Sequence, residues 1–383
     1  MKLNEITLKT IYNIHRKRMI AKCSQKIDRI YKSEYNHLER ELENFYTFYW
    51  SKFTNKPSLK YLRSMISISG VKSFLYVQED IQYNYIEPIL NNRAFSLAYN
   101  DKNFFEKYLS NYKDYFPETI LRSINGCLLD KDYNYIEYEQ GIEIMKKLSQ
   151  SSTYILKQAT ETGGGESIRK IVKDNNNIII NSHMYNYFEF INKLISSYNK
   201  TFILQKRINQ LPWFSLFNES SVNTVRLYIY RSVIDNKIIP LHAYIRFGNK
   251  GSITDNSSQG GLTCGINKNG ILNNFAITKY GEKLYNNEGV KQYKGTEVPY
   301  FFDMVNLAQS IAPLFLHHRL LGFDFSVDIN GNIVLLEINN LYIGIINQQM
   351  NNGPLYGDFT EEIINYCKDK PISYCKNYYI NIK

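Results

Sequence analysis

Two carboxylates and one amide in the last quarter of the chain, Asp324, Glu337 and Asn339, have the residue types and spacing of a metal site. They lie on two alternating apolar runs separated by Asn330-Gly331, a pair typical of two-residue type I′ hairpin turns. With this turn, Asp324 pairs directly with Glu337, and Asn339 follows on the same face. Two opposed carboxylates repel each other unless a cation, a shared proton or solvent compensates. The three hard oxygen ligands suit Mg²⁺, and an exposed acidic pair without function is the alternative interpretation.

The other face of this predicted hairpin is apolar and is expected to belong to the core. Three side chains alternate with Asp324 on the first strand, and three alternate with Glu337 on the second. These six residues are Phe323, Phe325, Val327, Val334, Leu336 and Ile338. The hairpin should therefore bury one face and present its carboxylates on the other.

The remaining chain divides into a helical first part and a strand-rich second part. Up to about residue 95, apolar residues recur at three- and four-residue steps, as at Ile11 and Ile14. Helical patterns continue to about residue 150, with a break near Gly126. Short β-rich runs bounded by turn residues begin at Thr153, and a helical pattern returns at 300–320 before the hairpin. Helices followed by runs of strands predict an α+β fold rather than a doubly wound sheet.

Charge restricts the partners of the protein. The 383 residues carry a net charge of +10, and seven basic residues lie between positions 16 and 32 in one helical stretch. A solvated helix face is the main interpretation of this stretch, and contact with nucleic acid or anionic lipid is the alternative. Because no nucleic-acid-binding motif accompanies it, no nucleic-acid partner is expected.

Cysteine usage and hydropathy predict a cytoplasmic location. Five cysteines lie at wide, irregular spacings, so neither a zinc site nor a disulfide framework is indicated. The start of the chain lacks the apolar segment of a signal peptide, and no apolar run approaches ~18 residues. These features predict a protein without a transmembrane segment, for which peripheral membrane contact stays possible. They do not predict an oligomeric state.

The hairpin residues resemble the ATP-grasp superfamily, whose members carry an Asp on one strand and Glu-x-Asn on the next. Here these are Gly322-Phe323-Asp324 and Glu337-Ile338-Asn339. The resemblance implies that Asp324, Glu337 and Asn339 bind the Mg²⁺ ions that bridge the phosphates of ATP. It also implies the ATP-grasp fold, in which two α+β lobes clamp ATP, here preceded by a helical N-terminal region.

Further segments follow in the order typical of this superfamily. Residues 154–157 resemble the strand whose lysine contacts the phosphates, and residues 162–167 resemble the glycine loop that folds over them. Asp101-Lys102 resembles the start of a helix that supplies a second lysine, and residues 203–208 resemble the inter-lobe segment whose backbone recognises adenine, with Gln205 where many members have Glu. The ATP-binding residues implied are Lys102, Lys157, Gly163, Gly164, Gly165, Gln205, Lys206 and Ile208.

Between about residues 100 and 357 the sequence is similar to a narrower group, the sugar-transfer-associated ATP-grasp family. The motifs that carry this similarity lie at 221–226, 245–248 and 255–261. Proteins of this family are associated with the synthesis of surface polysaccharides and teichuronopeptides. The polar 255–261 segment suits a hydroxylated substrate such as a sugar acid, and it equally suits an ordinary surface loop. The substrate-binding residues implied are Asn223, Asp255, Asn256, Gly260 and Gly261.

The reaction implied by the superfamily joins a carboxylate to an amine through an acyl phosphate, with ATP and Mg²⁺ as cofactors. Arg226 is the first candidate and Arg246 the second for stabilising the oxyanion, and ordinary salt bridges are their alternative role. The expected partners are a small-molecule or glycan-precursor carboxylate and an amine, such as an amino acid with a sugar acid or amino sugar. Two other functions stay open, an ATP-grasp kinase acting on a hydroxyl group and a non-catalytic nucleotide-binding module.

The pattern changes and the resemblance together predict five regions. They are a helical N-terminal region of unknown role at 1–95, a helical lead-in at 96–152, a glycine-loop lobe at 153–210, a metal- and substrate-binding lobe at 211–360 and a C-terminal closing helix and tail at 361–383. The site is expected between the two lobes, since each contributes part of it.

Overall fold

A computed structural model of the protein describes residues 5–36, 38–150, 152–160, 168–180, 182–197, 200–287 and 289–370. The helices are α1 (Glu5–Ile30), α2 (Arg40–Trp50), α3 (Leu59–Ser69), α4 (Glu79–Ile81), α5 (Glu87–Leu90), α6 (Arg93–Asn100), α7 (Lys102–Tyr108), α8 (Tyr138–Lys146), α9 (Tyr187–Ser197), α10 (Pro212–Ser215), α11 (Phe301–Ile311), α12 (Ile345–Asn352) and α13 (Thr360–Cys367). The strands are β1 (Thr119–Ile124), β2 (Cys127–Leu129), β3 (Thr153–Gln158), β4 (Arg169–Asp174), β5 (Asn177–Ile180), β6 (His183–Asn186), β7 (Phe202–Lys206), β8 (Thr224–Arg231), β9 (Ile238–Phe247), β10 (Leu262–Ile266), β11 (Leu272–Ile277), β12 (Lys283–Leu284), β13 (Leu320–Val327) and β14 (Ile333–Asn339).

The first sheet forms the smaller of two lobes. Its seven antiparallel strands have the order β2-β1-β7-β3-β4-β5-β6. Helices α8 and α9 cover it, burying Met145 and Phe190 with Leu156 and Ile171 of the strands. The alternation of apolar residues along these strands supplies one buried face, so the other face can line a cleft.

The second sheet is the centre of the larger lobe and is buried on both faces. Its seven antiparallel strands have the order β12-β11-β10-β9-β8-β13-β14. Alternation along β8 sends Val225 and Leu227 to a core that includes α11, and sends Tyr228 and Tyr230 to a second core. A continuous apolar strand such as β8 is typical of a sheet that is covered on both sides.

The N-terminal helical region covers the second face of this sheet, as an integral part of the fold. Trp50 of α2 and Met65 of α3 share a core with Met350 of α12 and Ile364 of α13. The predicted helical region and closing helix are confirmed, and residues 371–383 of the predicted tail lie outside the described part. No described helix combines the length and apolarity needed to cross a membrane. The two sheets with their helices confirm the predicted α+β class.

The hairpin of β13 and β14 confirms the predicted pairing of Asp324 with Glu337. The register shifts by one residue immediately after this pair, so that Phe325 pairs with Leu335. The extra residue is Leu336, which lines the cleft between the lobes. The prediction that Leu336 lies in the core is therefore wrong, because a bulge reverses the direction of side chains on one side of it. Leu335 occupies the core instead, and the other five predicted core residues are buried.

The turn of this hairpin also differs from the prediction. The N–H of Asp328 donates to Asn332 O at 2.9 Å, which leaves the three residues 329–331 in the loop. Gly331 has a φ of +85°. A three-residue loop with glycine in the left-handed region is the next common hairpin connection after the two-residue type I′ turn.

Two strands are present where helices were predicted. Strands β1 and β2 form a hairpin across Asn125-Gly126, whose φ values are +52° and +89°. Positive φ at both central residues is the type I′ geometry that Asn-Gly favours. The helical lead-in predicted at 96–152 is therefore wrong for this segment, because Asn125-Gly126 is a hairpin turn and not a break between helices.

Candidate active site

A cleft of about 1110 Å³ lies between the two sheets. Strands β3 and β7 of the first sheet and strands β8, β9, β13 and β14 of the second contribute side chains to it. Most of the predicted site residues line this cleft, namely Lys102, Lys157, Gln205, Lys206, Ile208, Arg226, Arg246, Asp255, Asn256, Asp324, Glu337 and Asn339. Groups that are far apart in the sequence thus meet at one site.

Arg226 and Asp324 form a buried ion pair in the cleft wall. They lie opposite each other on the paired strands β8 and β13. Arg226 Nε donates to Asp324 Oδ1, and Arg226 Nη2 donates to Oδ2 at 2.7 Å. The remaining Nη1 donates to Ile343 O at 3.1 Å. All three guanidinium nitrogens of Arg226 therefore donate hydrogen bonds, and the bidentate contact fixes the orientation of the Asp324 carboxylate.

Arg246 reaches the same carboxylate from the neighbouring strand β9. Its Nη2 donates to Asp324 Oδ2 at 3.2 Å and to Asp255 Oδ1 at 3.3 Å. Its Nε donates to Thr224 Oγ1 at 3.0 Å, and the Thr224 hydroxyl donates to Asp255. Within the described part of the chain, Nη1 of Arg246 has no hydrogen-bond partner. This nitrogen can donate to an anionic group in the cleft.

The arginines affect the two buried aspartates differently. Burial alone would raise the pKa of Asp324, but Arg226 and Arg246 outweigh it and hold the pKa below its usual value. Burial dominates at Asp255, whose pKa is raised despite Arg246 and Thr224. Asp324 is therefore a carboxylate at neutral pH. The two guanidinium groups supply positive charge that offsets the repulsion from Glu337.

Asp324, Glu337 and Asn339 keep oxygen atoms that suit a metal ion. Among the described residues, the Glu337 carboxylate has no hydrogen-bond or ion-pair partner, and Asp324 Oδ1 accepts a hydrogen bond from Arg226 alone. Asn339 approaches Asp324 through its amide nitrogen at 3.5 Å, which leaves its oxygen for another partner. Across the described ranges, no three His, Cys, Asp or Glu side chains cluster as a metal site. Two carboxylates and an amide nevertheless fit Mg²⁺, which usually completes its shell with phosphates and water.

Lys157 of β3 is held by a chain of polar side chains. Its Nζ donates to Gln205 Oε1 at 3.0 Å, and Gln205 Nε2 donates to Glu106 Oε1 at 2.7 Å. Arg122 forms an ion pair with the other oxygen of Glu106. Burial, followed by the charge of Lys102, lowers the pKa of Lys157 to about 8. The network orients Lys157 in the cleft, and its lowered pKa means that it titrates close to neutral pH.

Glu106 and Arg122 support the site but were not predicted from the sequence. Glu106 lies four residues after Lys102 on α7, so both side chains lie on the same helix face. This spacing is the sequence signal that could have identified Glu106. The start of α7 is as predicted, because Asp101 Oδ1 accepts a hydrogen bond from the N–H of Asn103 at 2.8 Å. The carboxylate of Glu106 lies beside Gln205 and accepts a hydrogen bond from its amide.

The inter-lobe segment offers a backbone donor in a cleft that apolar side chains also line. The N–H groups of Lys206 and Arg207 are bonded within the protein at 2.8 Å each. The N–H of Ile208 has no partner among the described residues. Ile155 of the first sheet and Leu336 of the second line the same cleft. A flat heteroaromatic ring would fit this arrangement, since it combines apolar faces with a polar edge.

Asn223, Gly260 and Gly261 do not line the cleft. Asn223 is buried, and its amide donates to two backbone carbonyl groups at 2.7 Å each. A Cβ at Gly261 would lie 2.3 Å from Asp255 O, so glycine permits the tight turn that carries Asp255. The predicted phosphate-loop glycines lie outside the described residues, namely Gly163, Gly164 and Gly165.

Several solved structures are similar to this chain at low identity. D-alanyl-alanine synthetase A from Vibrio cholerae O1 biovar eltor is 11% identical, with 72% of this chain and 66% of that chain covered and a TM-score of 0.41. VanG D-Ala:D-Ser ligase from Enterococcus faecalis is 12% identical, with coverages of 70% and 62% and a TM-score of 0.41. N5-carboxyaminoimidazole synthetase from Staphylococcus aureus, complexed with ADP, is 13% identical, with coverages of 65% and 46% and a TM-score of 0.35. This chain thus matches less than half of the last protein's length and under two thirds of VanG.

Comparison with protein families gives a more extensive match. Among proteins of curated function, none matches the sequence significantly. Residues 81–363 match the family described as sugar-transfer associated ATP-grasp. The matched range covers most of the chain and includes both sheets and every cleft residue described above. The chain therefore belongs to the sugar-transfer-associated ATP-grasp family, and its two lobes form the ATP-grasp fold.

Proposed function

We propose that the protein is a Mg²⁺- and ATP-dependent ligase that forms an amide between a carboxylate and an amine. The observation that carries this proposal is the position of Arg246, whose guanidinium lies beside Asp324 in the cleft that also contains Lys157 and Glu337. A cation at this position can stabilise the oxyanion that forms when an amine attacks an activated carboxyl group. Phosphoryl transfer to a hydroxyl group would not require such a cation.

The cleft offers separate places for the parts of ATP. Adenine would bind between Ile155 and Leu336, with its polar edge at the N–H of Ile208. The phosphates would extend toward Lys102 and Lys157. Leu336 lies three residues before Asn339 on β14, which corresponds to ~10 Å along a strand. With adenine at Leu336, this spacing would put the proposed metal ligands near the phosphate end of the nucleotide.

Asp324, Glu337 and Asn339 would hold Mg²⁺ in this arrangement. Bound Mg²⁺ neutralises charge on the phosphoryl oxygens. Arg226 keeps Asp324 ionised and oriented through its bidentate contact. In this proposal Arg226 is a positioning residue, and the role of contacting the reacting carboxyl group passes to Arg246.

The proposed reaction has two balanced steps. An oxygen of the substrate carboxylate first attacks the γ-phosphorus of ATP, the bond to the β-phosphate bridging oxygen breaks, and ADP leaves. The amine nitrogen then attacks the carbonyl carbon of the acyl phosphate, the carbon–oxygen bond to phosphate breaks, and the nitrogen loses a proton to solvent. Lys102 and Lys157 neutralise phosphate charge in the first step, and Arg246 stabilises the oxyanion in the second.

The proposed substrates are an amino acid and a sugar acid or amino sugar of a surface polysaccharide, joined in the cytoplasm. The family description associates these proteins with sugar transfer. Asp255 and Asn256 place polar groups along the cleft, where they can bond sugar hydroxyl groups.

The reaction is tested by measuring ADP, free phosphate and product mass with Mg²⁺, ATP and a panel of sugar acids, each with mixed amino acids. The ligase proposal expects ADP, free phosphate and a product that is lighter by one water than its two substrates combined. ADP without free phosphate, together with a phosphorylated acceptor, would instead identify a kinase. Absence of ATP turnover with every acid, hydroxyl acceptor and amine would favour a nucleotide-binding module.

The lowered pKa of Lys157 predicts a pH-dependent nucleotide affinity. Nucleotide phosphates favour the charged lysine, so the pKa in the complex is higher than the value of about 8 in the free protein. Below about pH 8 the lysine is already charged in the free protein, so the affinity is constant. Between that pH and the pKa in the complex, binding must take up a proton, and the affinity is expected to fall by up to about tenfold per pH unit. Calorimetric titration with MgADP between pH 7 and 9.5 measures this slope.

A matched variant separates this effect from other titrations. Lys157→Arg keeps its positive charge throughout the range, so its affinity should be nearly independent of pH. A flat profile for the unmodified protein, or an equal slope in both proteins, would show that Lys157 does not contact the phosphates.

A further inference from the structure

The segment after the metal-binding strand carries a tyrosine in an unusual backbone conformation. The 340–344 loop, defined as the residues between β14 and α12, lines the cleft through Leu341 and Tyr342. Tyr342 has a φ of +51°, a left-handed value that bulky residues seldom adopt. Its side chain is 40% exposed. Such a conformation persists when surrounding contacts enforce it, and it often marks a functional position.

Two residues of the N-terminal helical region hold Tyr342 in place. Glu87 Oε1 accepts a hydrogen bond from the Tyr342 N–H at 3.0 Å. Arg93 Nη2 donates to the same Glu87 oxygen at 3.4 Å, and both side chains are buried. The guanidinium carbon of Arg93 also lies 5.0 Å from the centroid of the Tyr342 ring. The buried pair therefore fixes both the backbone and the ring of Tyr342.

The ends of the loop are attached to the same helical region. Asn91 Nδ2 donates to Asn340 O at 2.8 Å. The Gly344 N–H donates to the Tyr83 hydroxyl at 3.2 Å, and the Tyr83 ring meets the Tyr342 ring edge-on at 5.3 Å. The loop thus has little freedom, although it joins two regular elements at the cleft surface.

Tyr342 and Asn100 bring an aromatic ring and a polar amide to the same cleft. Asn340 Nδ2 donates to Asn100 Oδ1 at 2.8 Å, and Asn100 also lines the cleft. The Asn100 Nδ2 group has no partner among the described residues. An aromatic ring and a free amide donor in one cleft suit a saturated ring that has C–H groups on its face and hydroxyl groups at its edge. Along the chain, Tyr342 follows Asn339 by three residues, whereas Leu336, at the proposed adenine position, precedes Asn339 by three.

We propose that Tyr342 is the specificity-determining residue for a sugar-acid substrate, and that its ring packs against the face of the sugar. Asn100 donates to a sugar hydroxyl group, while Glu87, Arg93 and Tyr83 are positioning residues that act through Tyr342. This inference rests on the ligase function proposed above and names the substrate class of that site. It also gives the N-terminal helical region a role in substrate selection.

Saturation-transfer NMR with D-glucuronate as the probe tests this proposal on the full-length protein with MgADP present. When aromatic protons of the protein are saturated, the saturation should transfer to the C–H groups on one face of the sugar. Tyr342→Phe and Tyr342→Trp should retain the transfer, because each keeps an aromatic face. Tyr342→Asn should weaken glucuronate binding by at least ~10-fold and leave MgADP affinity within about twofold.

The melting temperature adds a readout that separates specificity from a structural role. Asn tolerates positive φ, which offsets the loss of the ring contacts with Arg93 and Tyr83, so Tyr342→Asn should melt near the temperature of the unmodified protein. A tyrosine needed for packing alone would instead give a lower melting temperature and unchanged glucuronate binding. Tyr83→Phe, which removes the acceptor of the Gly344 N–H, should weaken glucuronate binding several-fold while MgADP affinity is retained.

The outcomes distinguish this proposal from the ligase function. Saturation transfer that depends on Tyr342, in a protein that forms no amide with the substrate panel, would support Tyr342 and overturn the ligase. Absent transfer to D-glucuronate, or equal transfer in the unmodified protein and Tyr342→Asn, would overturn the role of Tyr342 whatever the reaction is.

Discussion

Replacing Glu337 with Gln is expected to lower ATP turnover by about 10³-fold, which corresponds to ~4 kcal/mol of transition-state stabilisation. Glu337 lines the cleft, pairs across the hairpin with Asp324 and has no partner among the described residues. The substitution keeps the size of the side chain and removes the charge that would hold Mg²⁺. Steady-state ADP formation at saturating ATP measures the loss.

Glu219→Gln is the matched control, because Glu219 also lines the cleft but is exposed and belongs to the segment between α10 and β8, not to the hairpin. Its turnover should stay within about threefold of the unmodified protein, as is usual for exposed substitutions. If Glu337→Gln turns over ATP as fast as the control, the metal assignment of the hairpin is wrong. Raising the Mg²⁺ concentration should partly restore Glu337→Gln if the defect is in metal binding.

Replacing Arg226 with Met is expected to lower the free energy of unfolding by about 3 kcal/mol. The change leaves the Asp324 carboxylate buried, with Arg246 as its remaining ionic partner at 3.2 Å. Removing one member of a buried ion pair exposes the cost of desolvating the other. Equilibrium denaturation in urea measures the loss, and MgADP affinity can be followed in parallel.

A second substitution tests whether this loss arises from the pair. Adding Asp324→Asn to Arg226→Met should recover at least ~1 kcal/mol, because it removes a buried charge that has lost its bidentate partner. Lys60→Met, which breaks the exposed ion pair with Asp28, should leave the denaturation midpoint essentially unchanged. Equal stability of Arg226→Met and the unmodified protein would contradict a positioning role for Arg226.

The sequence contained the information for local pairings within the site. The alternation around Asp324 and Glu337 predicted their direct pairing, which the hairpin confirms. It did not predict the bulge at Leu336, because an extra residue on one strand preserves the number of apolar residues while changing which of them face the core. Asn-Gly does favour a type I′ turn in this protein, but that turn is at 125–126 and not at 330–331.

Contacts between distant strands could not be read from local patterns. Arg226 is 98 residues from Asp324, and their ion pair depends on the adjacency of β8 and β13 in the second sheet. The support that Glu87 gives to Tyr342 likewise requires the N-terminal helices to pack on that sheet. Sequence spacing identifies side chains on one face of one element, whereas tertiary packing decides which elements share a cleft.

The central claim, that a carboxylate is activated as an acyl phosphate, is tested most directly by following oxygen atoms. A sugar acid labelled with ¹⁸O in its carboxylate is incubated with Mg²⁺, ATP and the amine that the substrate panel identifies. One labelled oxygen per turnover is expected in free phosphate, since the carboxylate oxygen that attacks the γ-phosphorus leaves with it. Phosphate free of label, with both labelled oxygens retained on the sugar, would contradict carboxylate activation.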